Sequence, residues 1–426
     1  MDLKNKVAKN ALWIIGCRIA QSVFQLVINM FTARYLGPSN YGLISYAASI
    51  VAFLTPLMSI GISNILVNEI IKNPKKEGET LGTTLTLTFL SSLLCVGGMA
   101  AFVSIANAGE TETLIVCVLY SIILVFQSLE IIQYWFQAKY LAKYTSIVSL
   151  SAYIIVSAYK IILLISGKSV YWFAVSNAFD FCIIAIALLV IYKVVGGQPF
   201  KFSLKTAKHL VNQSRYYIIS SLMITVFAEI GKVILKIMNS NAEVGFYSAA
   251  VTIAGITSFV FVAIIDSMRP MILEHKSKGN IESYKRNFSR LCGMVIYLSL
   301  AQSIVIALLA KYVVLILYGG EYLPAVSALR IIVWYTTFSY LGSVRNVWIL
   351  AEGKQKYLWV INLCGAIANI LLNFILIPIL GINGAAIASL VTQFFANIIL
   401  SFIIKPLREV NSLMIKGFNP KLFIKK

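Results

Sequence analysis

The chain has 426 residues, 59% of them hydrophobic and only 12% charged, with a mean hydropathy of +0.85. Soluble domains carry about a quarter charged residues, so a water-soluble core is excluded. The net charge of +20, from 36 Lys and Arg against 16 Asp and Glu, finds no hydrated charged domain that would form a nucleic-acid groove, and no nucleic-acid partner is expected.

Apolar runs long enough to cross a hydrocarbon layer of about 30 Å predict twelve spans, at 11–32, 42–66, 81–106, 113–136, 144–166, 171–194, 209–237, 245–267, 288–309, 325–349, 357–380 and 382–404. Lys4, Lys6 and Lys9 precede the first span in the manner of a signal peptide. Arg18, Gln21 and Gln25 interrupt the apolar run, however, and no small-residue cleavage site follows, so it reads as a retained helix. Arg18, Ser22, Gln25 and Asn29 are spaced by 4, 3 and 4 and form one polar stripe. The second span holds Pro56 and Gly61, the fourth Glu130, and the sixth Asn177 and Asp180. In the seventh, Arg215, Glu229 and Lys236 fall within about 60° of one another on a helical wheel, with Lys232 nearby. Asp266 stands near the end of the eighth. Arg330, Trp334, Thr337 and Arg345 share a sector of the tenth, and the eleventh carries Asn362, Asn369, Asn373 and Pro378. Pro56 and Pro378 remove backbone bonds and permit kinks.

The connectors are short, and the longest, at 268–287, is too small for a catalytic domain. No phosphate-binding loop, nucleophile elbow, zinc-helix pair or dinucleotide fingerprint occurs, so neither catalytic residues nor a cofactor are expected. The six cysteines lie in apolar runs and only two histidines exist, which predicts no metal site. Of the 36 basic residues, 26 fall on one set of alternate connectors and termini, and only Arg34, Lys168 and Lys311 on the other. This asymmetry predicts an even number of spans with both termini cytoplasmic.

A shift of 203 aligns Gly42, Ser45, Ala47 and Ile50 with Gly245, Ser248, Ala250 and Ile253. A shift of 213 aligns Ala138, Lys143, Tyr144 and Leu150 with Ala351, Lys356, Tyr357 and Leu363. Both join spans six apart. The expected architecture is an all-α integral membrane protein of about twelve helices in two pseudo-symmetric six-helix lobes, 1–200 and 201–404, followed by a basic cytoplasmic tail at 405–426.

Charges inside a bilayer cost about 2.5–3.5 kcal/mol each on insertion scales, so they converge on protein or water. One reading is a hydrated cationic cleft between the lobes. Arg18, Arg215, Arg330, Arg345 and Lys232 would bind phosphate or diphosphate there, and Gln25, Asn29, Asn177, Asn369 and Asn373 would line the path for sugars. The other is structural: Arg18, Arg215, Lys160 and Lys236 snorkel, and Asn and Ser stripes cement helices. Asp180 and Glu229 are the candidates for ion coupling, although Glu229, three residues before Lys232, also suits an intrahelical ion pair.

ARYLGPSNYGLISYAASI at 33–50, EVGFYSAAVTIAG at 243–255, ILYGGEYLPA at 316–325, AEGKQKYLWVINL at 351–363 and GINGAAIAS at 381–389 together resemble the polysaccharide, or O-antigen, flippases of the multidrug/oligosaccharidyl-lipid/polysaccharide (MOP) exporter superfamily. The resemblance implies a two-lobed MOP fold like that of the MATE exporters. It also implies movement of undecaprenyl-diphosphate-linked oligosaccharide, an O-antigen or capsular repeat unit, from the cytoplasmic to the outer leaflet of the bacterial inner membrane. An ion gradient would drive it, with membrane lipids, a polysaccharide polymerase and a chain-length regulator as partners. Arg18, Arg215, Arg330 and Arg345 would then be cleft cations. The related lipid II flippases carry two further C-terminal helices that this sequence lacks. Two alternatives stay open: a multidrug cation antiporter, against which seven intramembrane cations stand beside four acids, and a membrane-embedded polymerase, for which no sizeable outer loop exists.

Overall fold

The computed structural model describes residues 24–419, together with the helical path, without side chains, of residues 3–23. Among the described residues every regular element is helical, as lipid requires of a chain that cannot close a barrel. The elements are α1 (Leu3–Met58), α2 (Leu66–Lys72), α3 (Glu77–Ala106), α4 (Thr111–Glu130), α5 (Gln133–Ala138), α6 (Ala142–Ile165), α7 (Val170–Val194), α8 (Leu204–Met238), α9 (Asn241–Ala254) and α10 (Ser258–Ser277). They continue with α11 (Ile281–Tyr318), α12 (Ala325–Ile332), α13 (Tyr335–Ala351), α14 (Leu358–Leu380), α15 (Ile382–Phe394), a π-helical turn at Phe395–Ile399, α16 (Leu400–Ile403) and α17 (Arg408–Gly417).

Where twelve spans are expected, nine described helices are long and apolar enough to cross a membrane, and the pair α9 and α10, bent by 41°, makes ten. The remaining two have physical explanations. The first predicted span lies mostly before residue 24 and is continuous with the second in α1, interrupted only where Gly37 leaves helical geometry at φ 71°, ψ 171°. Glycine reaches that conformation without a Cβ penalty, and Pro38 opens the next helical stretch. The tenth span is covered by two shorter helices, α12 and α13, joined by a turn at Val333 and Trp334 whose backbone stays in the right-handed helical region, and neither helix alone is long enough to cross.

Pro56 and Pro378 stand two residues before the ends of α1 and α14, so they end helices rather than hinge them. After Pro56 the chain turns through Ile60 and Gly61, both at positive φ. At Gly61 a Cβ would stand 2.8 Å from the Ser214 carbonyl oxygen, so this turn admits only glycine.

The helices group into two compact units that divide inside α8, at Thr225 and Val226, further along the chain than the expected boundary at 200. In the first unit α7 packs on α4 and α6, and α1 on α4 and α6. Its cores gather Ile62, Trp135, Phe136, Leu188 and Tyr192 at one end and Leu43, Val116, Leu163 and Phe173 at the other. The second unit centres on Phe261, Phe288, Leu291, Val344 and Trp348. The segment expected as a tail instead contributes α17 to this core: Val410, Leu413 and Met414 are buried, and Ser289 Oγ donates to the Leu413 carbonyl at 3.0 Å.

Equivalent connectors in the two units are tied by ion pairs of reversed polarity. Lys139 meets Glu77 at 2.6 Å in the first, and Lys276 meets Glu352 at 2.6 Å in the second, with Lys139 and Glu352 separated by the repeat shift of 213. Tyr284 Oη also donates to Glu352, at 3.0 Å. Burial pushes the Glu352 carboxyl up, but the hydrogen bonds from Lys276 and Tyr284 and the Lys276 charge outweigh it and hold the group below the usual carboxylate range.

Candidate functional site

The polar site of the first unit is built on four helices. α6 buries Ala152, Tyr153, Val156, Ser157, Lys160 and Leu163, a three- and four-residue recurrence that marks one inward stripe. Lys160 lies on that stripe, 7% exposed. Its Nζ donates to Asn177 Oδ1 on α7 at 2.8 Å, and Asn177 Nδ2 donates to the Phe173 carbonyl at 3.0 Å. Around this pair α1, α4, α6 and α7 enclose a cavity of about 190 Å³ whose lining includes Gln25, Asn29, Thr32, Tyr41 and Tyr120. The buried Thr32 Oγ1 has no hydrogen-bond partner.

The structure thus brings Gln25, Asn29 and Asn177 to one cavity inside the first unit, around a lysine rather than around the four arginines. The expectation that Lys160 and Lys236 snorkel outward is corrected, because each is only 7% exposed. Asp180 lies one turn beyond Asn177 and interacts electrostatically with Lys160 on α6 and Glu130 on α4. Its buried Oδ1 has no hydrogen-bond partner.

The other candidates are dispersed. Arg18 lies outside the described residues. Arg215 is exposed on α8, where Nη2 donates to Tyr216 Oη at 3.0 Å and the guanidinium sits 4.8 Å from that ring's centroid. With Lys205, Lys208, His209 and Asn212 it forms a basic groove at the start of the helix. Arg330 and Arg345 differ in environment, on the two helices α12 and α13. Arg330 is exposed on α12, whereas Arg345 is 3% exposed on α13 and donates through Nη1 to the Ala396 carbonyl at 2.8 Å. Ala396 belongs to the π-helical turn, where the wider hydrogen-bond register leaves a carbonyl for a side-chain donor. Arg345 is therefore a packing anchor.

In the second unit Lys232 and Glu229 form an intrahelical pair at 2.8 Å, which matches the structural alternative for both. Asn369 and Asn373 are 1% and 0% exposed and do not line an open path. Asn369 Nδ2 donates to Thr392 Oγ1 at 3.1 Å, joining α14 to α15, and Asn373 Nδ2 donates to the Asn369 carbonyl at 2.7 Å. Among the described residues no group of His, Cys, Asp and Glu is arranged to hold a metal.

Sequence reasoning took Lys160 for a snorkelling group and passed over Thr32, Tyr41 and Tyr120. For Lys160 the signal was present: it sits three residues after Ser157 and four after Val156, on the same helical face as that serine. For Thr32, Tyr41 and Tyr120 nothing short of the helix packing brings them to one cavity.

Comparison with known proteins gives the context of this site. Residues 7–276 match the family described as polysaccharide biosynthesis protein. A curated relative, an uncharacterized membrane protein of Methanocaldococcus jannaschii, is 24% identical over 243 residues, which make up 53% of this chain. The match spans about half of that relative's length, 47%. A solved structure of the lipid II flippase MurJ, in an inward closed conformation, is similar with TM-score 0.73 and 13% identity, covering 97% of this chain and 92% of the other. An inward-facing multidrug resistance MATE family transporter of the MOP superfamily is similar with TM-score 0.70 and 14% identity, covering 93% of this chain and 96% of the other. At such identities these two likenesses show the fold alone, an all-α arrangement shared with both structures. The chain belongs to the polysaccharide biosynthesis protein family.

Proposed function

We propose that this protein is a flippase for a lipid-linked oligosaccharide, an undecaprenyl-diphosphate-linked O-antigen or capsular repeat unit moved from the cytoplasmic to the outer leaflet of the bacterial inner membrane, with both termini cytoplasmic. The observation that carries the reading is the cavity around Lys160 and Asn177 within membrane-spanning helices. A buried ammonium is too costly in a bilayer to persist without use, and family membership supplies the sugar chemistry that amides and hydroxyls suit. The head group passes along polar side chains of the helices while the polyprenyl tail stays in lipid.

The cation-exporter alternative is disfavoured, since Lys160 would repel an organic cation at the site. Among the acids, Asp180 is the one we assign to ion coupling: it stands within the electrostatic reach of Lys160, whereas Glu229 is held by Lys232. A polymerase and a chain-length regulator would act on the delivered unit. Depleting the protein from cells that build a surface polysaccharide tests the proposal. The lipid-linked unit should accumulate in the inner leaflet, out of reach of an impermeant lectin. Continued lectin labelling at the outer leaflet overturns it.

A further inference from the structure

We propose that the cavity between α1, α4, α6 and α7 is a subsite for one sugar unit bearing a single carboxylate, a uronic-acid type of residue within the oligosaccharide head group. The inference rests on the flippase reading for where the sugar comes from, and on the following geometry for its chemistry.

The lining carries one cation. Lys160 is more than nine-tenths buried, and its ammonium has three donors, of which one is engaged, by Asn177 Oδ1 at 2.8 Å. It makes no contact ion pair among the described residues, so an anionic oxygen entering the cavity finds a donor already desolvated and aimed inward. Charge-assisted bonds of this kind are about twice as strong as neutral ones.

The rest of the lining is neutral and matches sugar hydroxyls. Gln25, Asn29 and Asn177 each offer a donor and an acceptor, and Thr32 Oγ1 is buried with no partner. An orphaned hydroxyl at a cavity wall awaits a ligand or water, because leaving it unpaired is costly. Phe173 adds apolar lining suited to the C–H surface of a pyranose.

Charge disfavours the diphosphate itself. About 190 Å³ is the volume of roughly six waters, enough for one sugar ring, so the cavity's charge rather than its volume discriminates between a sugar and a diphosphate. A diphosphate carries at least two charges and calls for several cations or bidentate arginines. No arginine lines the cavity, and Asp180, which interacts electrostatically with Lys160, moderates the field further. A single negative charge fits.

The test is equilibrium binding to the purified full-length protein in lipid nanodiscs, with glucuronate, glucose and inorganic pyrophosphate as probes. Glucuronate should bind about ten-fold or more tighter than either of the other two, the factor expected for one charge-assisted hydrogen bond. Lys160→Gln should abolish the preference of glucuronate over glucose, and Thr32→Val should weaken both sugars several-fold. Equal binding of the two sugars, absence of sugar binding, tighter binding of pyrophosphate, or a preference that survives Lys160→Gln would each overturn the subsite. If Lys160→Gln fails to fold, Thr32→Val and the three-probe ranking on the unaltered protein decide alone. Since no transport is measured, glucuronate binding without flipping would remove the flippase reading and leave the subsite. Flipping without glucuronate preference would do the reverse.

Discussion

Replacing Lys160 with methionine separates a functional lysine from a structural one, because the two roles predict opposite effects on stability. Burying an ammonium among membrane helices costs about 2.5–3.5 kcal/mol. Against this, the bond to Asn177 Oδ1 at 2.8 Å returns about 1.5–3 kcal/mol, as hydrogen bonds to charged groups do. Methionine has a similar length and fills the same space on the α6 stripe, and Asn177, at the cavity wall, keeps access to water, while the lost attraction to Asp180 offsets part of the gain. Lys160→Met should therefore leave stability unchanged or raise it by up to about 2 kcal/mol. At about 2–4 °C per kcal/mol for a unit of this size, the expected change runs from zero to about +8 °C. Thermal unfolding of the detergent-solubilised protein reads this directly, and export of surface polysaccharide, normalised to membrane abundance, should be lost. A fall in unfolding temperature of more than about 4 °C would refute the reasoning and make Lys160 a prop of the α6–α7 packing.

Other predictions follow from the same kind of accounting. Gly61→Ala places a Cβ at positive φ and 2.8 Å from the Ser214 carbonyl oxygen. It should cost about 2 kcal/mol or more, lowering the unfolding temperature by about 4–8 °C. Glu352→Ala removes the acceptor of Lys276 and Tyr284 and should cost about 1–2 kcal/mol after allowance for the partial exposure of the lysine; a double-mutant cycle with Lys276→Met should show coupling between them. Because the Glu352 carboxyl is held below its usual value, its contribution is fully present above about pH 4.3, the unfolded value, and is lost as pH falls through the folded value. The corresponding drop in unfolding temperature on acidification should be absent from Glu352→Gln. Arg345→Ala strands the Ala396 carbonyl and should cost at least about 1–3 kcal/mol, seen as lower yield and melting temperature, whereas exposed Arg330→Ala should stay within about 0.5 kcal/mol.

The helical periodicity and the bilayer length made most of the fold legible in the sequence, since each span is set by apolar run length and by the need to satisfy every backbone group internally. What escaped was local backbone geometry. Hydropathy runs straight through Val333 and Trp334, so the turn between α12 and α13 leaves no trace in composition, and neither does the difference between exposed Arg330 and buried Arg345. The same limit applied to the candidate site. Asn177, Gln25 and Asn29 were legible as polar side chains in apolar runs. Which of them meet depends on the packing of α1 against α6 and α7. An intramembrane lysine close to a helix end reads equally as a snorkelling group or a buried one, and only the face it occupies decides: Lys160 stands five residues before the end of α6, on the inward stripe. Glu229 and Lys232 were legible as a pair because three-residue spacing is local to one helix.

The most direct test of the central claim is flipping in proteoliposomes. Purified protein is reconstituted with an undecaprenyl-diphosphate-linked oligosaccharide fluorescently labelled on its head group, and the label exposed outside is measured by an impermeant quencher under an imposed ion gradient. The account predicts time-dependent exchange of the label between leaflets that requires the protein and is lost in Lys160→Met. Exchange no faster than in protein-free vesicles, or exchange undiminished by Lys160→Met, would contradict it.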